Sequence, residues 1–330
     1  MKMKALAVAV AALACGTQAF AAEIYNSDGT SLSIGGHVSV GVGEYDSDAP
    51  DEVKLHEVSP RINVAGKKDI GNGVTVDAKG EWQLNFIEGG EQSFKTRLGY
   101  IGATHEQLGR VVAGTQWTPY SDVGSVADKP IAFANDFLYS NQYNLGSARG
   151  EKMVSYRKGF EFGEGFAFNL GLGWQGEQGD YDNRGQIALS TEIAGFGLGY
   201  AYNGGDVEFG GQTGKENASS HILSAYYGSY GSGLYAAAVY GMNEYFFGGY
   251  EDTTQLEALL AYGVNDWTFS VNYESVDEDD LDTLYSQMAL QAEYAVTPAF
   301  YTFAGYQIDL GNDINEEEND LWILGARYYF

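Results

Sequence analysis

The chain has 330 residues, of which 45 are acidic and 18 are basic, so its net charge is −27. This charge argues against a nucleic-acid partner, because binding a polyanion requires a basic surface. The 25 tyrosines, 17 phenylalanines and 5 tryptophans argue against intrinsic disorder. No apolar run of 18 or more residues follows residue 20, which excludes a helical membrane protein. An acidic all-β chain, rich in glycine and tyrosine, is the expectation.

The first 21 residues have the features of a cleaved secretory signal peptide. Lys2 and Lys4 precede an apolar stretch, and residues 19–21 form a cleavage site with small residues on either side of a larger one. Cleavage there leaves a mature domain at 22–330 with no cysteine and a net charge of −29, from 16 basic and 45 acidic residues. A lipid anchor on Cys15 is the alternative interpretation.

Apolar and polar residues then alternate with a period of two, which indicates strands with one apolar and one polar face. Val38, Val40 and Val42, for example, alternate with His37 and Ser39. No long linker divides the chain, so we expect one domain. Sixteen segments carry the pattern, at 31–45, 56–67, 73–86, 93–106, 109–117, 149–160, 166–177, 184–194, 196–204, 217–228, 233–245, 253–263, 267–276, 282–296, 299–309 and 320–330.

Alternation also fits a soluble β-sandwich, but three features favour a closed membrane barrel. The number of segments is even, short turns alternate with longer polar connections, and most segments have about ten residues or more. Aromatic residues such as Trp267 and Trp322 lie near segment ends, where an interfacial girdle is expected. The sequence therefore predicts an all-β, 16-stranded antiparallel transmembrane β-barrel. With sixteen strands the polar lumen is too wide for side chains to fill, so it would hold water.

Several stretches resemble the Gram-negative general porins, over essentially the whole chain. Residues 22–29 resemble the start of the mature porins, and 97–102, 108–110 and 114–116 resemble the stretch that leads into their constriction loop. Tyr156-Arg157 resembles the exit from that loop, and the terminal Phe330 resembles the signature read by the barrel-assembly machinery. The resemblance implies a homotrimer in the outer membrane, in contact with lipopolysaccharide, that passes small hydrophilic solutes and ions. It implies no enzymatic activity and no cofactor.

The resemblance also implies that the long third loop, at 117–148, folds into the lumen. Basic side chains on the barrel wall would then face acidic side chains on the loop. The wall positions fall on His37, Arg61, Arg97 and Arg149, with Arg157 as a fifth because it has the parity of Arg149. The acidic positions fall on Asp128 and Asp136.

Strand parity tests the wall positions independently. Arg61 has the parity of Asn63, which places it on the polar face. Arg97 has the parity of Gly99, so the pattern predicts that both face the lumen while Tyr100 faces outward.

Three positions depart from the family pattern. His37 stands where many relatives carry a lysine, so its charge would depend on pH near neutrality. Thr115 replaces an arginine that is common before the loop. Residues 129–136, Lys-Pro-Ile-Ala-Phe-Ala-Asn-Asp, replace the usual acidic Pro-Glu-Phe-Gly-Gly-Asp tip. The charge balance of the constriction therefore cannot be carried over directly.

Acidic runs fall in three predicted external loops, near 46–52, 277–282 and 313–320. The simplest interpretation is a solvated, repulsive surface; the alternative is Ca²⁺ or Mg²⁺ bridging to lipopolysaccharide phosphates, although no spacing defines a metal site. The net charge predicts a mild preference for cations.

Two other functions stay open. A saccharide-specific porin would use lumen aromatics such as Tyr285, Tyr301 and Phe303. A structural or adhesive outer-membrane protein would use the acidic loops. An outer-membrane hydrolase lacks an evident Ser/His pair, and the glycine pattern at 171–176 lies inside an alternating segment with no following helix, which argues against nucleotide binding.

Overall fold

A computed structural model describes residues 21–46, 52–89, 94–162, 166–209, 214–278, 283–313 and 319–330. The predicted signal peptide lies outside the described residues except for Ala21. Parts of the three acidic runs, at 47–51, 279–282 and 314–318, also lie outside them.

The described residues are mostly in antiparallel strands. The strands are β1 (Ala22–Ser27), β2 (Thr30–Glu44), β3 (Lys54–Glu57), β4 (Arg61–Gly71), β5 (Val74–Leu84), β6 (Phe94–His105), β7 (Gly109–Trp117), β8 (Arg149–Glu161), β9 (Ala167–Gln175), β10 (Tyr181–Ile193), β11 (Phe196–Val207), β12 (Glu216–Ser229), β13 (Ser232–Glu244), β14 (Asp252–Val264), β15 (Trp267–Glu278), β16 (Thr283–Thr297), β17 (Phe300–Asp309) and β18 (Leu321–Tyr329). Between β7 and β8 lie α1 (Pro119–Gly124), a 3₁₀ turn (Phe137–Tyr139) and α2 (Gln142–Leu145).

These eighteen strands occupy sixteen positions in one closed barrel. β3 and β4 both pair with the same edge of β2 and are separated by a break at 58–60. β18 and β1 pair with the opposite edge of β2, and between them Phe330 exchanges two backbone hydrogen bonds of 3.1 Å with Gly36. Each of these pairs of strands therefore fills one position, and β9 pairs with β10 in the rest of the circle. The predicted 16-stranded antiparallel barrel is confirmed.

The two faces of the wall have opposite character. Large apolar side chains are exposed on the outside, among them Ile101, Leu198, Leu260 and Leu324. Polar side chains are buried on the inside, among them Ser39, Gln175, Asn203, Gln255, Asn272 and Gln291. This arrangement suits a wall that meets hydrocarbon outside and polar groups inside. Among the described residues, no helix is both long enough and apolar enough to cross a membrane.

Candidate pore constriction

The segment between β7 and β8, residues 118–148, begins with a capped helix inside the barrel. The Thr118 hydroxyl accepts a hydrogen bond of 3.1 Å from the Ser121 amide, and Pro119 fills the first helical position, where no amide donor is needed. Tyr120 then makes a hydrogen bond of 2.8 Å with Ser220 on the inner face of β12. Pro119 packs on Gly171 of β9, where a Cβ would lie 3.0 Å from the proline. The glycine therefore has a packing role.

The middle of the segment runs along the inner face of β15 and β16. The amide of Ile131 donates to Glu293 at 2.7 Å, and the amide of Asp136 donates to Glu274 at 3.0 Å. Between them, Phe133 and the Gln291 side chain exchange two hydrogen bonds of 3.0 and 2.6 Å. All three partners are buried polar side chains of the wall, so the segment lies against the inner side of these two strands.

The tip at 131–133 is also held by apolar contacts. Phe133 belongs to a buried cluster with Val58, Ala289, Phe303, Leu321 and Ile323, against which Ile131 and Ala132 also pack. The Tyr45 hydroxyl donates to the Ala132 carbonyl at 3.1 Å. The apolar Ile-Ala-Phe sequence, which replaces the family's acidic tip, therefore suits an apolar docking position on the wall.

The saccharide-specific alternative depends on three lumen aromatics, and two of them contact this segment. Phe303 lies in the apolar cluster that holds the tip. Tyr285 packs edge-on against Phe137, with ring centroids 6.0 Å apart. Tyr301 instead lies edge-on to Tyr329 at 5.8 Å. The inward orientation expected from the sequence is observed, but Phe303 and Tyr285 are engaged in seating the segment.

The return limb ends on side-chain amides of the wall. Asn203 donates to the Leu145 carbonyl at 2.7 Å, and Gln186 donates to the Gly146 carbonyl at 2.8 Å. These donors satisfy carbonyls at the end of α2 that have no partner within the helix. The segment is thus fixed at its start, tip and end, which limits its movement in the lumen.

The two predicted loop acids lie close enough to interact. The Tyr139 hydroxyl donates to Asp128 at 2.5 Å, and burial raises the pKa of the Asp128 carboxyl despite this bond. Asp136 is exposed to the lumen but crowded by the surrounding protein, which raises its pKa to about 6, with a further contribution from the charge of Asp128. Asp136 therefore titrates near pH 6.

Three of the predicted wall residues, His37, Arg61 and Arg97, come together on β2, β4 and β6. Arg61, Arg97 and Arg327 all lie close enough to His37 to interact with it electrostatically. Glu81 of β5 lies among the wall cations, 3.1 Å from Arg97 Nε and 3.9 Å from Arg61 Nη1. Lys79 makes a third ion pair with Glu81, at 3.0 Å. One carboxylate therefore neutralises part of the charge of three cations.

The strand-parity prediction is wrong for Gly99 and Tyr100. Arg97 itself does face the lumen side, where it contacts Glu81. A β-bulge in the β5–β6 ladder pairs Glu81 with Leu98 and the next residue, Trp82, with Thr96, so Arg97 is the extra residue. After the bulge the faces exchange, and Tyr100 lies inward over Arg110 while Gly99 faces outward. Simple alternation cannot anticipate this shift.

Arg149 and Arg157 have separate positions. The Arg149 guanidinium lies 5.3–5.6 Å from the rings of Trp117, Tyr139 and Tyr143, a cage of cation–π contacts. Arg157 does not join the wall cluster, because it binds Asp122 of α1 at 2.6 and 3.2 Å. Burial raises the pKa of Asp122, and Arg157 partly offsets that effect. The pair secures the base of the segment.

Arg327 of β18 is a wall residue that the sequence reasoning missed. It pairs in register with Ser39, two residues from the pairing of Tyr329 with His37. Its parity is opposite to that of the apolar residues Leu324, Ala326 and Tyr328. That alternation was the available signal for an inward-facing cation.

Comparison with known proteins identifies the family. The sequence profile described as Gram-negative porin matches residues 5–328. The chain belongs to the Gram-negative porins. It is similar to Outer membrane protein S2 of Salmonella typhi, at 27% identity with 100% of this chain and 89% of that protein covered. It is equally similar to Porin-like protein L of Photobacterium profundum, at 27% identity with both chains fully covered.

Solved structures show the same fold at low sequence identity. The porin matches Salmonella typhi OmpF in complex with daunomycin, with a TM-score of 0.79 and 20% identity over 94% of this chain and 100% of that one. It also matches an anion-selective porin from Comamonas acidovorans, with a TM-score of 0.73 and 15% identity over 91% and 100%. The protein is therefore an outer-membrane porin of a Gram-negative bacterium, a channel rather than an enzyme.

Proposed function

We propose that this porin is a general diffusion channel for small hydrophilic solutes and ions, with a mild preference for cations. The observation that carries the proposal is the arrangement of the lumen segment. It lies against β15 and β16 and presents Asp128 and Asp136, while the cations around Glu81 lie on the other wall. A solute that passes between them is selected by size and by the field across the gap.

The preference for cations rests on the acidic excess of the whole chain. The mature net charge of −29 produces a negative potential at the mouths, which concentrates cations before they reach the constriction. A porin of the same fold is described as anion-selective. Ion selectivity therefore depends on the side chains of the individual porin rather than on the fold. Here local cations oppose the acidic mouths, and a mild preference is the expected result.

The test is the reversal potential of the purified protein in a planar bilayer under a KCl gradient. Cation-selective, stepwise openings support the proposal. Anion selectivity would mean that the basic wall outweighs the acidic mouths, and folded protein without conductance would contradict the channel function. Saturable block by one sugar would favour the saccharide-specific alternative, which the engagement of Phe303 and Tyr285 disfavours.

The proposed partners follow from the same architecture. Small outward residues of β4, β5 and β6, among them Gly66, Ala78 and Gly99, suit a contact surface for a homotrimer. Phe330 is the proposed contact with the barrel-assembly machinery, and the acidic loops are proposed to face lipopolysaccharide. Among the described residues, no three His, Cys, Asp or Glu side chains are placed to hold a metal ion. Migration in unheated gels, before and after heating, tests the trimer.

A further inference from the structure

Arg327 connects the basic wall to the tip of the lumen segment. It is only 6% exposed and donates from Nε to the Ser39 hydroxyl at 3.2 Å. Its Nη2 donates to the Val58 carbonyl at 3.1 Å and lies 3.5 Å from the Ile131 carbonyl. Val58 and Ile131 both belong to the apolar contacts that seat the tip. The guanidinium therefore lies between wall and tip.

The charge of Arg327 is not neutralised by a direct ion pair. Within the described part of the chain, no carboxylate lies within 4.0 Å of it, and its hydrogen-bond acceptors are neutral. Arg61 and Arg97, by contrast, share Glu81. Glu293 is one carboxylate on which the Arg327 charge acts, at longer range. An unpaired cation contributes its full charge to the local field.

Arg327 also lies beside the position where this chain lacks a fixed charge. His37 occupies the wall position at which the resemblance to porins implied a lysine. Arg327 lies next to His37 on the neighbouring strand, two residues from its paired partner Tyr329. The adjacent strand thus supplies a permanent cation, because a guanidinium does not lose its proton in the physiological range.

We propose that Arg327 helps to set the ion selectivity of the constriction and positions the segment tip. The proposal rests on the channel function proposed above. Its fixed charge opposes the passage of cations, and its hydrogen bonds to two carbonyls hold the tip against β18. Selectivity and pore size are therefore set partly by one residue.

The test compares reversal potentials and unit conductances under a KCl gradient. Arg327→Gln removes the charge, and we expect the ratio of potassium to chloride permeability to rise about 3-fold. Arg327→Lys keeps the charge, so the ratio should stay near wild type while conductance rises, because an ammonium cannot reproduce the planar fork of donors. Lys67→Gln is the control. It removes one charge from the same inner wall, six residues along β4 from Arg61, and should change the ratio by less than about 1.5-fold because salt screens it.

The outcomes separate the two proposals. A wild-type protein that folds without conducting contradicts the channel function itself. Conducting Arg327→Gln channels with the wild-type permeability ratio would overturn the role of Arg327. If Arg327→Gln does not fold, Arg327→His is folded at pH 5 and measured at pH 5 and 8, with wild type at both values as the reference. Loss of the imidazolium charge between pH 5 and pH 8 should raise the ratio of potassium to chloride permeability more than the same pH change raises it in wild type. An equal change in both proteins contradicts the proposal.

Discussion

The ring of Phe133 lies against Gly305 of β17, so closely that a Cβ at Gly305 would come within 2.8 Å of the ring carbon Cδ2. A Cβ contact this short would require the neighbouring atoms to shift. Phe133 cannot move freely, because its backbone is hydrogen-bonded to Gln291 on both sides. The glycine is therefore part of the seat for the segment tip.

Gly305→Ala should displace the tip from the wall. We expect a loss of about 1–2 kcal/mol in the free energy of unfolding, typical of overpacking, and a change in unit conductance as the tip moves into the lumen. Gly185→Ala on β10 is the matched control, since nothing lies within 4 Å of its added Cβ. Urea unfolding and single-channel recording measure the two effects. Identical conductance in Gly305→Ala and wild type would show that the tip does not depend on this seat.

Glu81→Gln should shift the porin towards anions. Glu81 is 5% exposed and lies within 4.0 Å of Arg61, Lys79 and Arg97, so its loss leaves three cations without their shared carboxylate. Removing one partner of a buried ion pair costs about 3 kcal/mol of stability, and the chloride to potassium permeability ratio should rise about 3-fold. The reversal potential measures the ratio.

Asp77→Asn provides the control for Glu81→Gln. It breaks the two-bond ion pair with Arg110, at 2.6 and 2.8 Å, four residues away on the same strand. It should lower stability but change the permeability ratio much less, because Asp77 does not contact the wall cluster. Equal shifts in both variants would mean that any lumen carboxylate has the same effect.

The fold was largely predictable because the barrel wall obeys a two-residue period. Each of the sixteen predicted segments overlaps an observed strand, and 109–117 matches β7 at both ends. β1 was missed, since its six residues are too few to show alternation. The break at 58–60 was also missed because Ser59, with a φ of +53°, belongs to neither strand.

The site was less predictable, because long-range contacts decide it. The Arg97 bulge depends on how β5 meets β6, which strand parity does not contain. Arg157 has the parity of a wall residue but is captured by Asp122, 35 residues earlier. Arg327 did carry a parity signal. It was missed because the resemblance to porins, from which the wall positions were taken, placed none of them on the terminal strand.

Arg157→Gln should loosen the base of the segment without shifting selectivity. The arginine also donates to the Trp117 carbonyl at 2.8 Å, so its loss frees both that carbonyl and Asp122. Without Arg157 the pKa of Asp122 should rise further, since burial is then opposed by no cation. We expect larger fluctuations of the open-channel current at an unchanged reversal potential. Arg61→Gln serves for comparison. If Arg157→Gln shifts the reversal potential as much as Arg61→Gln does, Arg157 contributes to the selectivity of the basic wall and the prediction is wrong.

The preference for cations should fall as the pH is lowered from about 7.5 to about 5. The pKa of Asp136 is raised from 3.8 to about 6, first by crowding from the surrounding protein and then by the Asp128 charge, so its carboxylate gains a proton within this range. An unshifted aspartate would stay ionised throughout it. Asp136→Asn should remove the step in the reversal potential near pH 6. At every pH this variant should have the selectivity that wild type shows at low pH. Asp252→Asn removes an exposed carboxylate at the start of β14 and should keep the step. A step that survives in Asp136→Asn would assign the titration to another lumen group.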